Sequence, residues 1–186
     1  MRTLVAGIGN IFNRDDGFGV EVAQRLADAG LPAGVRVEDF GIRGVHLALE
    51  LLDGYDLLVL VDAVPTHDAP GTVVVMEAGS SDGAGALDAH TMDPQAVLAM
   101  VAEMGGGVGR TLVVGCQPGD LTEGIGLTAP VAASVPTAIA VVRDLIAEHH
   151  SNADQYTPDQ TSPDQYTADQ SSAEGSVSCA ASSASS

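Results

Sequence analysis

The sequence contains no lysine and no tryptophan, and its charge is strongly one-sided. Seven arginines stand against 25 acidic residues in a chain of 186, which gives a formal net charge of −18. Five of the acidic residues follow residue 150 without a basic residue among them, so the preceding part keeps a net charge of −13. A field of this sign repels nucleic-acid phosphates and anionic lipids, whereas it tolerates cations or a basic partner. We therefore expect no nucleic-acid partner and no membrane partner.

Cysteine and long apolar runs are also scarce. The two cysteines, Cys116 and Cys179, are far apart in the sequence, which argues against a disulfide framework and against a CxxC metal site. The apolar run near the first residue is too short for a signal peptide, and no segment approaches about 18 consecutive apolar residues. These features favour a protein of the reducing cytoplasm.

The last part of the chain differs in composition from the rest. From Ser151 onward it is rich in serine and alanine, repeats the letters DQYT and has few large apolar residues. Such a segment cannot bury enough apolar surface to offset the entropy of ordering it. We predict an α/β domain over residues 1–150 and a disordered, acidic, low-complexity tail over residues 151–186.

Apolar runs and helical stripes alternate along the domain. Continuous apolar runs are typical of strands that are buried on both faces of a parallel or mixed sheet, and four-residue periodicity is typical of helices that cover it. We predict a five-stranded, twisted, mostly parallel sheet between helices, with right-handed crossovers. The continuous runs are 3–8, 57–61, 72–76 and 112–114, and a more alternating run is 35–40. The stripes are Phe18/Val22/Leu26, Val45/Leu49/Leu52, Val97/Met100/Val101 and Val135/Ile139/Val142/Ile146.

Acidic and imidazole groups follow the ends of the predicted strands. Asp15 and Asp16 follow the first strand, Asp39 ends the second, Asp62 ends the third, and His90 lies in the loop after the fourth. Ligands of open α/β sheets bind beyond the carboxyl ends of the strands. These side chains therefore form the candidate functional site.

A dinucleotide site is one interpretation of the first loop, because the letters GIGNIF begin like GxGxxG. Phe12 occupies the third glycine position, and Asp15 and Asp16 stand where a pyrophosphate would meet the helix. Negative charge at that point repels phosphate, so the pattern argues against NAD or FAD.

A metal site fits the same residues better. Two carboxylates and an imidazole form an oxygen and nitrogen set suited to a divalent ion such as Zn²⁺, Ni²⁺ or Fe²⁺, and Asp16, Asp62 and His90 are the candidate trio. Each residue also has an ordinary structural interpretation: a helix cap for Asp15 or Asp16, a turn for Asp62 and a loop histidine for His90. The metal hypothesis rests on their convergence at one edge.

Four segments together resemble the hydrogenase maturation endopeptidases, which process the large subunit of nickel–iron hydrogenases. They are GIGNIFNRDDGFGVEVAQRL at 7–26, LVDA at 60–63, AHTMDPQAVLAM at 89–100 and VVGCQPGDLTEGIGLTAPV at 113–131. The resemblance extends over residues 1–146 and leaves out the tail.

This resemblance implies a three-layer fold of the phosphorylase/hydrolase-like type and an aspartic-type peptidase. The implied reaction removes a C-terminal extension from the nickel-loaded hydrogenase large-subunit precursor. The implied nickel ligands are Asp16, Asp62 and His90, with the nickel supplied by the precursor. Asp39 matches a recurring acid, which acts either as the general base or as a residue that supports the metal ligands. A plain strand-end role for Asp39 is the alternative.

Two other functions stay open at this point. One is a metal-sensing chaperone that binds the nickel-loaded precursor without cutting it. The other is a self-sufficient zinc peptidase that acts on generic peptides. A GxSxG motif is missing from the sequence, so serine hydrolase chemistry has no support.

Overall fold

A computed structural model of the chain describes residues 1–78 and 94–155, with side chains up to residue 151. A short 3₁₀ helix, Arg14–Gly17, precedes the first α-helix. The strands are β1 (Thr3–Ile8), β2 (Val35–Gly41), β3 (Tyr55–Ala63), β4 (Val73–Glu77) and β5 (Val108–Cys116), and the helices are α1 (Phe18–Ala27), α2 (Gly44–Leu51), α3 (Pro94–Glu103) and α4 (Ala129–Gln155).

The five strands form one mixed sheet in the order β2-β1-β3-β5-β4. Strands β1, β2, β3 and β5 pair in parallel, and the edge strand β4 pairs antiparallel with β5. Gly7 of β1 is level with Asp39 of β2 and Val61 of β3, so these strands end at one common edge. The predicted five-stranded, mostly parallel sheet between helices is confirmed.

Helices cover both faces of the sheet. In β3, Leu57, Val59 and Val61 belong to the core beneath α1 and α4, whereas Leu58 and Leu60 belong to the core beneath α2 and α3. Both sets are 1 % exposed or less. Burial on both faces explains why the sequence of β3 is a continuous apolar run and does not alternate with polar residues.

Glycines bring α1 unusually close to the sheet. A Cβ added to Gly19 would lie 2.0 Å from the carbonyl oxygen of Val61 and 2.4 Å from that of Ile8, and one added to Gly7 would lie 2.3 Å from the carbonyl oxygen of Gly19. A side chain at either position would therefore push the helix away. This close approach places the turn before α1 directly above the ends of β1 and β3.

The predicted apolar face of α2 is wrong. Val45 and Leu49 are more than half exposed, whereas Leu47 and Leu51 are fully buried against the sheet. The helix has apolar residues on both sides, so the four-residue periodicity alone does not show which side faces the sheet. The stripes predicted for α1, α3 and α4 do contribute to the core, through Phe18, Val22, Leu26, Val97, Val101, Val135, Val142 and Ile146.

Helix α4 runs past the predicted domain boundary at residue 150, to Gln155. Its segment Ala129–Ser151 is long and apolar enough to cross a membrane by length and composition, as core helices of soluble proteins also are. Val131, Val135 and Val142 on one face pack fully buried on the sheet, which is the behaviour of a core helix. Residues 151–155 of the predicted tail are therefore helical, and residues 156–186 lie outside the described residues.

Candidate active site

The turn after β1 brings Asp16 and Asp62 together at the carboxyl edge of the sheet. Gly9 in this turn has a φ of +124°, and a Cβ there would lie 1.7 Å from the backbone oxygen of Asp16 and 3.7 Å from Oδ1 of Asp62. Any side chain at Gly9 would therefore displace the 3₁₀ turn that carries Asp16. The glycine allows two carboxylates from separate elements to approach each other.

Both carboxylates are buried and each accepts one hydrogen bond within the described part of the chain. The backbone N–H of Asn10 donates to Asp16 Oδ2 at 2.8 Å, and the N–H of Ala63 donates to Asp62 Oδ1 at 2.8 Å. Asp16 is 9 % exposed and Asp62 is 4 % exposed. We call these two residues the acidic pair.

Burial dominates the electrostatics of the acidic pair. It raises the pKa of Asp62 well above its usual range against the hydrogen bond from Ala63, and the neighbouring Asp16 raises that pKa further. Burial also raises the pKa of Asp16, although the hydrogen bond from Asn10 opposes the shift. Two desolvated like charges with so few donors are unfavourable unless a proton or a cation joins them. The acidic pair therefore suits a divalent cation.

Asp15, the neighbour of Asp16, has a different environment. It is fully buried, and its carboxylate accepts hydrogen bonds from the backbone N–H groups of Gly119 at 2.8 Å, Asp120 at 2.9 Å and Thr128 at 2.6 Å, and from the Thr128 hydroxyl at 2.9 Å. Burial raises its pKa, but these four hydrogen bonds outweigh burial and the net shift is downward. Asp15 therefore holds the loop between β5 and α4 through both of its carboxylate oxygens.

Asp39 flanks the same turn but has another partner. A Cβ on Gly41 would lie 3.6 Å from the backbone oxygen of Gly9 and 3.7 Å from Oδ1 of Asp39. The other carboxylate oxygen of Asp39 accepts a hydrogen bond from Gln24 Nε2 of α1 at 3.2 Å. Strand alternation directs Asp39 to the α1 side of the sheet, as it does Val37. The structure thus places Asp39 beside the turn that contains Gly9 and on the α1 side of the sheet.

The third predicted ligand, His90, lies outside the described residues. Within 1–78 and 94–155, no group of three His, Cys, Asp or Glu side chains is arranged to hold a metal ion. The acidic pair alone thus represents the predicted trio in the described structure, and the roles of Asp16, Asp62, His90 and Asp39 stay predictions.

Cys116 at the end of β5 behaves as a small core residue. It is fully buried, its Sγ lies 3.3 Å from Ser134 Oγ, and burial raises the pKa of its thiol. A buried thiol with a raised pKa is a poor nucleophile. The structure gives no support to cysteine-dependent hydrolysis.

Comparison with known proteins identifies the family of this chain. The family model described as hydrogenase maturation protease matches residues 20–145. The chain belongs to the hydrogenase maturation protease family. Its similarity to the hydrogenase expression/formation protein HupD of Rhodobacter capsulatus is 39 % identity over 152 residues, which covers 78 % of this chain and 72 % of that protein.

Solved structures agree with this membership. The hydrogenase maturating endopeptidase HybD from Escherichia coli superimposes with a TM-score of 0.68 at 29 % identity, over 80 % of this chain and 94 % of HybD. A second structure of an endopeptidase from E. coli gives a TM-score of 0.70 at 28 % identity with the same coverage. The predicted family, α/β fold and peptidase class are confirmed.

For this hydrogenase maturation protease, the sequence pattern did not distinguish the adjacent aspartates. Either could have capped α1, yet neither makes a side-chain cap hydrogen bond to it. The partners of Asp15 lie in the distant segment GDLTEGIGLT at 119–128, where it binds backbone N–H groups and the Thr128 hydroxyl. The sequence alone does not show that this segment folds against Asp15. The role of Gly9 beside the acidic pair is likewise geometric.

Proposed function

We propose that this maturation protease removes the C-terminal extension of a nickel–iron hydrogenase large-subunit precursor once nickel has been inserted. The family membership supports a hydrogenase large subunit as the substrate. The requirement for nickel, the C-terminal position of the cut and a cytoplasmic location are parts of the proposal. The observation that carries it is the buried acidic pair at the carboxyl edge of the sheet.

The nickel ion enters this proposal as part of the substrate. Asp16 and Asp62 approach it from the turn after β1 and from the end of β3, and His90 is the proposed third ligand. Oxygen and imidazole donors suit Ni²⁺, and a cation relieves the repulsion within the acidic pair. A precursor without nickel offers no such relief. The pair therefore acts as a recognition element for the loaded precursor.

Peptide hydrolysis also requires an activated water molecule. Bound nickel supplies Lewis-acid character near the scissile carbonyl. Asp39 is the proposed general base, because it flanks the Gly9 turn and is partly exposed. Its hydrogen bond with Gln24 fixes the orientation of the carboxylate. Asp39 would take the proton from the attacking water and give it to the amine that leaves as the peptide C–N bond breaks, while the acidic pair and His90 position the substrate.

The deciding experiment incubates the full-length protein with a purified large-subunit precursor, nickel-loaded in one sample and nickel-free in another, and measures intact masses. We expect a defined C-terminal loss from the loaded precursor alone. Stable binding of the loaded precursor without any loss of mass would replace the proposal by the chaperone hypothesis. Cleavage of generic peptides by zinc-containing protein would replace it by the zinc peptidase hypothesis.

Isosteric variants test the acidic pair in the same assay. Asp16→Asn and Asp62→Asn should each slow processing by about a hundredfold or more, because a neutral amide is a weaker ligand and no longer attracts the cation. Asp28→Asn is the matched control, since Asp28 is exposed beyond the end of α1. Circular dichroism should show all three variants folded, since Asp16 and Asp62 each accept only one hydrogen bond and removing either charge relieves the repulsion between them. Wild-type rates for both site variants would remove the acidic pair from the mechanism.

A further inference from the structure

Large apolar side chains are exposed on the loops that surround the acidic pair. Ile11 and Phe12 follow β1, Ile42 follows β2, and Leu121 and Ile125 lie between β5 and α4. The exposed fractions reach 62 % for Phe12, 72 % for Ile42 and 80 % for Ile125. We call these five residues the apolar rim. Grouped apolar exposure of this kind marks an interaction surface more often than isolated exposed residues do.

Backbone hydrogen bonds join two of these loops. The N–H of Gly124 donates to the carbonyl of Phe12 at 2.7 Å, and the N–H of Arg14 donates to the carbonyl of Gly124 at 3.0 Å. These bonds form a short bridge between the turn after β1 and the loop after β5. Ile125 is consequently held beside Phe12, although more than a hundred residues separate them in sequence.

Ile42 lies on the other side of the turn that contains Gly9. The N–H of Gly9 donates to the carbonyl of Gly41 at 3.1 Å, which ties the end of β2 to that turn. Gly9 is also the residue next to the acidic pair. The apolar rim is therefore continuous with the candidate active site and flanks it on two sides.

The long loop that presents Leu121 and Ile125 is fixed at both ends. Asp15 binds the backbone of Gly119 and Asp120 at one end and Thr128 at the other. Ordering a loop before binding reduces the entropy lost on association. The buried charge of Asp15 thus serves to preorganise exposed apolar side chains.

We propose that the apolar rim is the docking surface for the folded body of the hydrogenase large-subunit precursor, an inference that rests on the proposed substrate. A peptidase contacts its protein substrate on the loops around the reacting bond, and those loops carry the rim. The first 150 residues have a net charge of −13. The rim is an apolar surface within a strongly acidic one, so an apolar patch on the partner complements it better than a charged patch does. The acidic pair checks for nickel, and the rim holds the precursor.

The test measures initial processing rates against precursor concentration for full-length Phe12→Ser, Ile125→Ser and the double variant. Each single variant should raise KM by about tenfold and leave kcat within about twofold, as expected when an exposed anchor contributes to binding and not to chemistry. Met104→Ser is the matched control, because Met104 is 42 % exposed in the turn before β5, at the opposite edge of the sheet. Its KM should match wild type.

Direct binding of the nickel-loaded precursor, measured by biolayer interferometry, separates this proposal from the proposed function. Wild-type protein that binds the precursor but does not cut it would refute the proposed cleavage, and weaker binding by the rim variants would still support docking. Unchanged binding and KM in the double variant would overturn the docking surface. So would a lower kcat at unchanged KM. If sedimentation shows that the wild-type protein is a dimer and the rim variants are monomers, the rim is instead a contact between two copies of the chain.

Discussion

Asp15 and Asp16 are adjacent in sequence and opposite in electrostatic environment. Asp15 accepts four hydrogen bonds and its pKa is lowered, whereas Asp16 accepts one and its pKa is raised. The first arrangement stabilises the ionised form, and the second keeps a carboxylate short of donors. One residue therefore stabilises the scaffold, and the other is left for a cation.

Replacing Asp15 by Asn should destabilise the fold by about 2–4 kcal/mol at neutral pH, because an amide nitrogen would face backbone N–H donors that are buried with it. Asp28→Asn at an exposed position should stay within about 0.5 kcal/mol of wild type. Urea unfolding followed by circular dichroism measures both. An Asp15→Asn variant as stable as the control would show that the four hydrogen bonds contribute nothing net.

The same comparison has a defined pH dependence. Because the folded-state pKa of Asp15 is lowered, its contribution is fully present above the unfolded value of 3.8 and is lost as pH falls through the folded pKa. The difference in stability between wild type and Asp15→Asn should therefore be constant near neutral pH and shrink in acid. A difference that grew in acid would contradict this assignment.

The positions of the acidic residues at the ends of the predicted strands indicated the correct edge of the sheet but did not distinguish their separate roles. The partners of Asp15 lie 104 to 113 residues further along the chain, beyond the reach of any local pattern. The raised pKa of Asp62 comes first from its burial and then from its approach to Asp16. Burial and spatial proximity of this kind arise only after the sheet and α1 have packed.

At the level of elements, the strands were the most predictable feature and α2 the least. Strands buried on both faces are continuous apolar runs that need no choice of face. Helix α2 carries one apolar stripe through Val45 and Leu49 and another through Leu47 and Leu51, and its packing on Phe40 and the sheet selects the second. Strand β4 pairs antiparallel with β5, a direction that its apolar composition does not specify.

Paired substitutions in α2 test which face is buried. Leu47→Ala should destabilise the protein by about 2–5 kcal/mol, because it leaves a cavity in a fully buried site. Leu49→Ala removes the same atoms from a side chain that is 51 % exposed, and should change stability by no more than about 0.5 kcal/mol. Thermal and urea unfolding measure both variants. Equal losses would mean that both faces of the helix are covered.

At the level of the whole molecule, charge and apolar surface have separate consequences. The net charge of −18 disfavours anionic partners without selecting a specific one. The fold concentrates its buried carboxylates and its exposed apolar loops at the same edge of the sheet. The composition predicted the effect of the net charge. The grouping of carboxylates and apolar side chains could not be predicted, because it depends on how the loops after β1, β2 and β5 meet in the fold.

The composition of residues 157–186 predicts that this segment contributes little to the fold. Deleting it should change the free energy of unfolding by less than about 0.5 kcal/mol and leave precursor processing at the wild-type rate, because the segment offers few apolar groups to a core. Deleting residues 140–186 is the contrasting control, since it removes the buried Val142 and Ile146 of α4 and should abolish cooperative unfolding. Differential scanning calorimetry and the mass assay measure both truncations. Lost processing with unchanged unfolding in the shorter deletion would show that the tail takes part in recognising the precursor.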